Sequence, residues 1–197
     1  HQYPPSEFAL HESDLVLMVG ARLDNQMNFG NPPLFPESTK LVCVNGSHEE
    51  IEFNGAADYT LLSDPEPFFN ALLDLKKSQN WPISKKWFDE NKLKRMEWVE
   101  KSLSDLEIET NATAKDGGKI HPLQLSLDVQ EMMGDNDWLV IDGGNTHFWS
   151  EIAINIAGFK GKKLGGILHP GTFSMLGVGV SFAISAKNTN PKSKVVL

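Results

Sequence analysis

Three short apolar runs, each stopped by a turn that contains glycine, limit what this chain can fold into. Leu15-Val16-Leu17-Met18-Val19 stops at Gly20, and Lys40-Leu41-Val42-Cys43-Val44 stops at Asn45-Gly46. Trp138-Leu139-Val140-Ile141 stops at Asp142-Gly143-Gly144-Asn145. Apolar runs of this length, bounded by turn signals, read as strands buried on both faces, which is the condition of strands in a parallel sheet. Ala57 to Leu62 reads as a further strand, and Lys194-Val195-Val196-Leu197 as an unfinished one. Helix signals lie between them. Ser6 to His11 reads as a short helix, and Glu49 to Phe53 as a short helix or turn. Asp64-Pro65 places a capping residue before a proline at the first helical position, which predicts a helix from Pro65 to Lys77. Strands alternating with helices predict a parallel α/β fold of three layers, helix on sheet on helix.

The second half of the chain repeats this alternation after a polar break. Ser84 can cap a long helix to about Leu106, in which Phe88, Met96, Val99, Leu103 and Leu106 form one apolar stripe. Glu107 to Gly118 is polar and ends in two glycines, so it reads as a linker. Helices are expected from Pro122 to Met133, from Thr146 to Ile156 and from about Gly177 to Lys187. A Gly/Lys-rich connection joins the last two. The expected organisation is a Rossmann-like unit over residues 1–77, a linker helix and loop over 78–116, and a second unit over 117–197. The Trp138 strand is expected in a different sheet from the first two strands.

Glycines at the carboxyl end of a strand matter because ligands of open parallel sheets collect there, and a bare backbone approaches an anion closely. Gly143-Gly144 leads into one helix, and Gly177-Val178-Gly179 leads into another. These two turns suggest one phosphate-bearing ligand held from two sides; a pair of tight turns is the plain alternative. His147 and His169 are the imidazoles nearest this window. Each reads either as a proton carrier or as a structural histidine, and Asp142 as a cap of its turn.

Composition narrows the function classes. The 197 residues carry a net charge of −8, which argues against nucleic acid as the main partner. The single cysteine, Cys43, lies in an apolar run and reads as a buried structural thiol rather than a nucleophile. No apolar run approaches the roughly 18 residues of a membrane span, and no His/Cys/Asp cluster has metal-ligand spacing. A soluble, cytoplasmic enzyme acting on a small molecule is expected. The chain opens without Met in polar, proline-containing sequence, and is read as part of a longer protein.

Two segments in this order resemble the start of the diphosphate-binding domain of thiamine diphosphate enzymes. This is the group of acetolactate synthase, oxalyl-CoA decarboxylase, 2-hydroxyacyl-CoA lyase and benzaldehyde lyase. Gly143-Gly144-Asn145-Thr146-His147-Phe148-Trp149 resembles its glycine-rich turn followed by Trp, and Ser174-Met175-Leu176-Gly177-Val178-Gly179 its G-x-M-G-x-G segment. Asp14 to Asp24 is similar to the A-D-L-V-L-x-V-G-A-R pattern of the later half of the group's central domain. Gly30-Asn31-Pro32-Pro33-Leu34-Phe35 resembles the hydroxyacyl-CoA lyase side of the group.

The resemblance implies that Gly143, Gly144, Asn145 and Thr146 hold the cofactor diphosphate. It implies that the carbonyl of Ser174, where the group usually has glycine, faces the aminopyrimidine. Leu176 falls on the residue that props the cofactor in its bent form; core packing is its plain alternative. Arg22 stands where relatives contact FAD or the ADP part of a CoA-type ligand, or else is a surface arginine paired with Asp24. Asn45 stands where the group often has a ribose-binding aspartate, which puts nucleotide binding in doubt. Magnesium ligands and the activating glutamate of the group fall outside residues 1–197, so no catalytic residue is expected here and the chain alone is expected to be inactive. The implied activity is carbon–carbon bond cleavage or formation, or decarboxylation, on 2-oxo acids or 2-hydroxyacyl-CoA, in a homodimer or homotetramer. A non-catalytic Rossmann-like module that binds FAD, ADP or CoA is the competing reading.

Overall fold

The computed structural model describes residues 4–82, 85–114, 118–171 and 175–197. Its contacts divide the chain into two units, His1–Trp98 and Val99–Leu197, and the division falls inside a long helix.

The first unit runs α1 (Pro4–His11), β1 (Leu15–Val19), β2 (Lys40–Asn45), α2 (His48–Phe53), β3 (Tyr59–Leu62) and α3 (Pro65–Ser78). All three strands are parallel, in the order β1-β2-β3, with Met18 opposite Cys43 and Val44 opposite Leu61. The central strand is the buried one: Leu41, Cys43 and Val44 are 3% exposed or less. The apolar edge strands are not. Leu15 is 56% exposed, Leu17 is 40% exposed, and β3 is exposed along its length, against the expectation of strands buried on both faces. An apolar run marks a capacity for burial, but position within the sheet decides whether the capacity is used.

Met18, Leu23, Leu34, Phe35, Leu41 and Cys43 form the core of this unit, flanked by Leu10, Val16, Met27, Ile51 and Ala57. Leu34 and Phe35 come from the irregular, proline-bearing segment between β1 and β2, which takes the place of a crossover helix. The segment starts with a 3-10 turn, Asn25–Gly30, where the Asp24 carboxylate accepts the N–H groups of Gln26 and Met27.

Helix α4 (Lys85–Ala114) crosses the division between the units. It runs eight residues past Leu106, into the stretch that reads as a linker. Glu107 to Ala114 contains no glycine or proline, so nothing in the backbone stops the helix. Of the expected stripe, Val99 and Leu106 are buried, while Phe88 is exposed. Ser84 lies outside the described residues.

The second unit contains α5 (Pro122–Met132), β4 (Trp138–Val140), α6 (Asn145–Phe159), β5 (Gly166–Leu168), α7 (Gly179–Thr189) and β6 (Val195–Val196). Its parallel sheet has the order β5-β4-β6 and is separate from the first. Strand β5 lies in what reads as a Gly/Lys-rich connection; three residues, one of them glycine, leave no alternation to read. Ile141 continues the ladder past β4 by donating its N–H to the Leu168 carbonyl at 2.9 Å. Met133, Leu139 and Ile141 form the core here, packed by Val129, Ile154, Leu164 and Val196. The Asp137 carboxylate accepts the N–H groups of Gly134 and Lys194, tying the turn before β4 to the start of β6.

The strand order positions the site. From β4 the chain passes through α6 to β5 on one side, then through α7 to β6 on the other. Both α6 and the turn before α7 start at the carboxyl end of β4, the end of a parallel strand where ligands collect.

Burial separates two substitutions in the first unit. Phe35, 1% exposed, leaves a cavity when replaced by Ala, and a loss of about 3–5 kcal/mol is expected. Leu15→Ser, at 56% exposure, is expected to change stability by less than about 0.5 kcal/mol. Urea unfolding midpoints of the two variants test the difference.

Candidate functional site

The crevice at the carboxyl end of β4 is built from two turns that interlock. The first is Asp142-Gly143-Gly144, where the chain reverses from β4 into α6. Gly143 has φ +133° and Gly144 has φ +68°, a region that side chains disfavour, so glycine is required for the turn itself. Helix α6 starts at Asn145, and among the described residues no side chain caps it. The N–H of His147 donates to the Gly144 carbonyl at 3.1 Å. The preceding amides, of Asn145 and Thr146, have no acceptor within the helix by its geometry, and both residues are exposed. A helix N-terminus in this condition favours an anion.

The second turn precedes α7, and its amides are already engaged. The Asp142 carboxylate accepts the N–H of Gly177 on both oxygens, at 2.9 and 3.0 Å, and that of Gly179 at 2.7 Å. These bonds hold the Asp142 carboxyl below the usual range; the Gly179 amide has the largest effect, then that of Gly177, with burial opposing and the Val178 amide adding. The expected grip on a ligand from two sides is therefore not available from the α7 amides. At the α6 start, by contrast, no carboxylate takes the first amides among the described residues.

Leu176 joins the turns. A Cβ built on Gly143 would stand 2.8 Å from the Leu176 Cδ2, so the leucine occupies the space a side chain would fill. Leu176 is 66% exposed, which sets aside core packing as its role. The structure thus sets Leu176 beside Gly143 and Gly144, directly before Asn145 and Thr146 at the start of α6; Ser174 lies outside the described residues. Trp149, the aromatic of the first motif, packs edge-on against His121, with ring centroids 5.0 Å apart.

Both candidate histidines flank a cleft of about 340 Å³ beside the first turn, lined also by Ile141, Glu151, Ile154 and Ile167. The His147 Nε2 is 2.8 Å from a Glu151 oxygen, and the His147 and His169 rings are 5.0 Å apart. His169 Nδ1 accepts the Gly171 N–H at 3.2 Å. Among the described residues, no group of three or more His, Cys, Asp or Glu could hold a metal ion.

In the first unit, Arg22 follows β1 but its guanidinium is taken. Its Nε and Nη2 both donate to the Glu50 carboxylate, and its Cζ lies 5.1 Å from the centre of the Phe53 ring. The partner is Glu50 of α2 rather than the expected Asp24, which caps the 3-10 turn. The hydrogen bond raises the Arg22 pKa and lowers that of Glu50. Asn45 Oδ1 accepts the Ser47 N–H at 3.2 Å.

Asn54, which the sequence reading passed over, holds the loop that carries Arg22. It is 1% exposed and accepts from the Leu23 N–H at 2.7 Å. Its Nδ2 donates to the Ala21 carbonyl and to Cys43 Sγ. A buried polar residue of this kind has no sequence signal, because its partners are about thirty positions away.

The Asp142 bonds imply an acid sensitivity. Because its folded pKa is depressed, Asp142 contributes stability that is present above the unfolded carboxyl value of about 3.9 and lost as pH falls through the folded value. Thermal midpoints of Asp142→Asn are expected to lie below the parent's at neutral pH and to converge with them in the acid range.

Residues 1–72 match the family model described as the central domain of thiamine pyrophosphate enzymes. Over 197 aligned residues the chain is 26% identical to human 2-hydroxyacyl-CoA lyase 2, covering 95% of this chain and 28% of that protein. It is 24% identical to mouse 2-hydroxyacyl-CoA lyase 1, over 95% of this chain and 31% of that protein. Identity to the 2-hydroxyacyl-CoA lyase of Arabidopsis thaliana is 25%, over 95% and 32% respectively. The chain thus spans about a third or less of the length of these curated relatives. The parallel α/β architecture is consistent with these matches: residues 1–72 are similar to the central domain of thiamine pyrophosphate enzymes, and the chain along most of its length is similar to 2-hydroxyacyl-CoA lyases.

Proposed function

We propose that this chain supplies the diphosphate-holding turn of a thiamine diphosphate-dependent lyase that acts on 2-hydroxyacyl-CoA or 2-oxo acid substrates. The observation that carries the proposal is the uncapped start of α6 behind two positive-φ glycines, with Leu176 over them. The residues fit the group: amides of Asn145 and Thr146 suit a diphosphate, and the Gly143 notch, which a Cβ would fill, brings an apolar prop beside it. When bound, the cofactor supplies an electron sink for making or breaking a carbon–carbon bond next to a carbonyl. Gly143 and Gly144 let the backbone approach the anion, and Leu176 orients the ring portion. His147 and His169, paired beside the turn, are suited to holding or passing a proton at their Nε2 atoms. Mg²⁺ as companion of the diphosphate, with ligands from outside residues 1–197, a cytoplasmic location and a homodimeric or homotetrameric assembly complete the proposal.

The competing nucleotide-binding reading has less support. Arg22 is neutralised by Glu50, and Asn45 offers no carboxylate for a ribose. FAD, ADP or CoA binding by the first unit would require the Arg22–Glu50 pair to part.

Gly144→Val tests the proposal. A Cβ at Gly144 meets nothing closer than Leu176 Cδ2 at 4.0 Å, so the damage comes from forcing a β-branched residue to φ +68°. In the intact enzyme the dissociation constant for thiamine diphosphate is expected to rise at least about tenfold, or about 1.4 kcal/mol. Titration of the cofactor by tryptophan fluorescence measures it; binding equal to the parent's would overturn the assignment. Leu176→Ala is expected instead to lower kcat more than affinity, because the diphosphate stays anchored while the ring portion loses its support.

A further inference from the structure

We propose that Asp142 and Gly179 are positioning residues that lock Leu176 onto the Gly143–Gly144 turn, so that the support of the cofactor's rings is set by a carboxylate that never touches the cofactor. The inference rests on the proposed cofactor site and deepens it. Two reciprocal contacts carry it. Asp142, on the first turn, takes the amides of Gly177 and Gly179 on the second. Leu176, on the second turn, fills the space left by the absent side chain of Gly143 on the first. Each contact is made where a side chain is missing: a Cβ on Gly179 would meet Leu197 Cδ1 at 2.6 Å, the Asp142 Cβ at 3.0 Å and its Cγ at 3.2 Å. Each interlocking side chain lies one position before a glycine that the other turn uses: Asp142 before Gly143, and Leu176 before Gly177. Moving either turn therefore moves Leu176, which is 66% exposed and has no core packing of its own to hold it.

The alternative is that Asp142 merely stabilises the start of α7. Two measurements separate these roles. The first follows amide exchange in the intact enzyme without cofactor. In Asp142→Asn one oxygen remains as an acceptor, but the amide group that replaces the other sets a donor against the Gly177 N–H. Exchange at Gly177 is expected to accelerate about tenfold or more, and at Gly179 by less. Gly179→Ala, which leaves the carboxylate intact, is expected to loosen both.

The second measurement is a double-mutant cycle in the intact enzyme. Asp142→Asn is expected to behave like Leu176→Ala: kcat falls about tenfold at saturating thiamine diphosphate, cofactor affinity stays within about twofold, and the double variant is no worse than either single one. A stabilising role alone gives additive losses that follow the thermal midpoint. Unchanged exchange at Gly177 in Asp142→Asn, or additive losses in the cycle, overturns the lock while the cofactor site stands. Normal cofactor affinity in Gly144→Val overturns the site itself, and the lock with it.

Discussion

The carboxyl end of the second sheet is governed by one requirement: backbone N–H groups at a helix start need an acceptor. Helices α6 and α7 begin a few residues from the same crevice and meet the requirement differently. At α7 the amide of Gly177 before the helix and that of Gly179 at its first position are taken inside the protein by Asp142. The α6 start has no capping side chain among the described residues. Asp142 brings the two starts together, and it occupies the first amide of α7 while leaving those of α6 to other acceptors.

Internal satisfaction of charge and amide recurs in the first unit with the opposite consequence. There the loop after β1 is held by Asn54, and its cation is neutralised by Glu50. Both partners come from α2 or its end, so the carboxyl edge of this sheet is closed by its own side chains. The edge of the segment that matches the central-domain model thus presents an arginine that is already committed.

Glycine has two distinct tasks at the site. Gly143 and Gly144 are needed for backbone conformation, as their φ values show. Gly179 is needed for room, since a Cβ there would crowd both Leu197 and the Asp142 side chain. The motif around Gly177 and Gly179 reads in sequence as a ligand loop, but in three dimensions its amides serve to hold Leu176 in place.

The sequence by itself determined the parallel α/β class, the three apolar strands, the Pro65 and Pro122 helix starts, and the Gly143 to Thr146 turn. Each is written locally, in apolar runs, proline at a first helical turn, and glycine after a strand. It could not show which strands are covered, because Leu15 and Leu41 look alike until the sheet order makes one strand central. Nor could it show β5, Asn54, the Glu50 partner of Arg22 or the grip of Asp142 on α7. These depend on groups about thirty positions apart in sequence that meet only once the strands are paired. Tertiary structure decided which glycine turn is open to a ligand and which is closed by a carboxylate, since that depends on where a side chain ends up rather than on the residues that form the turn.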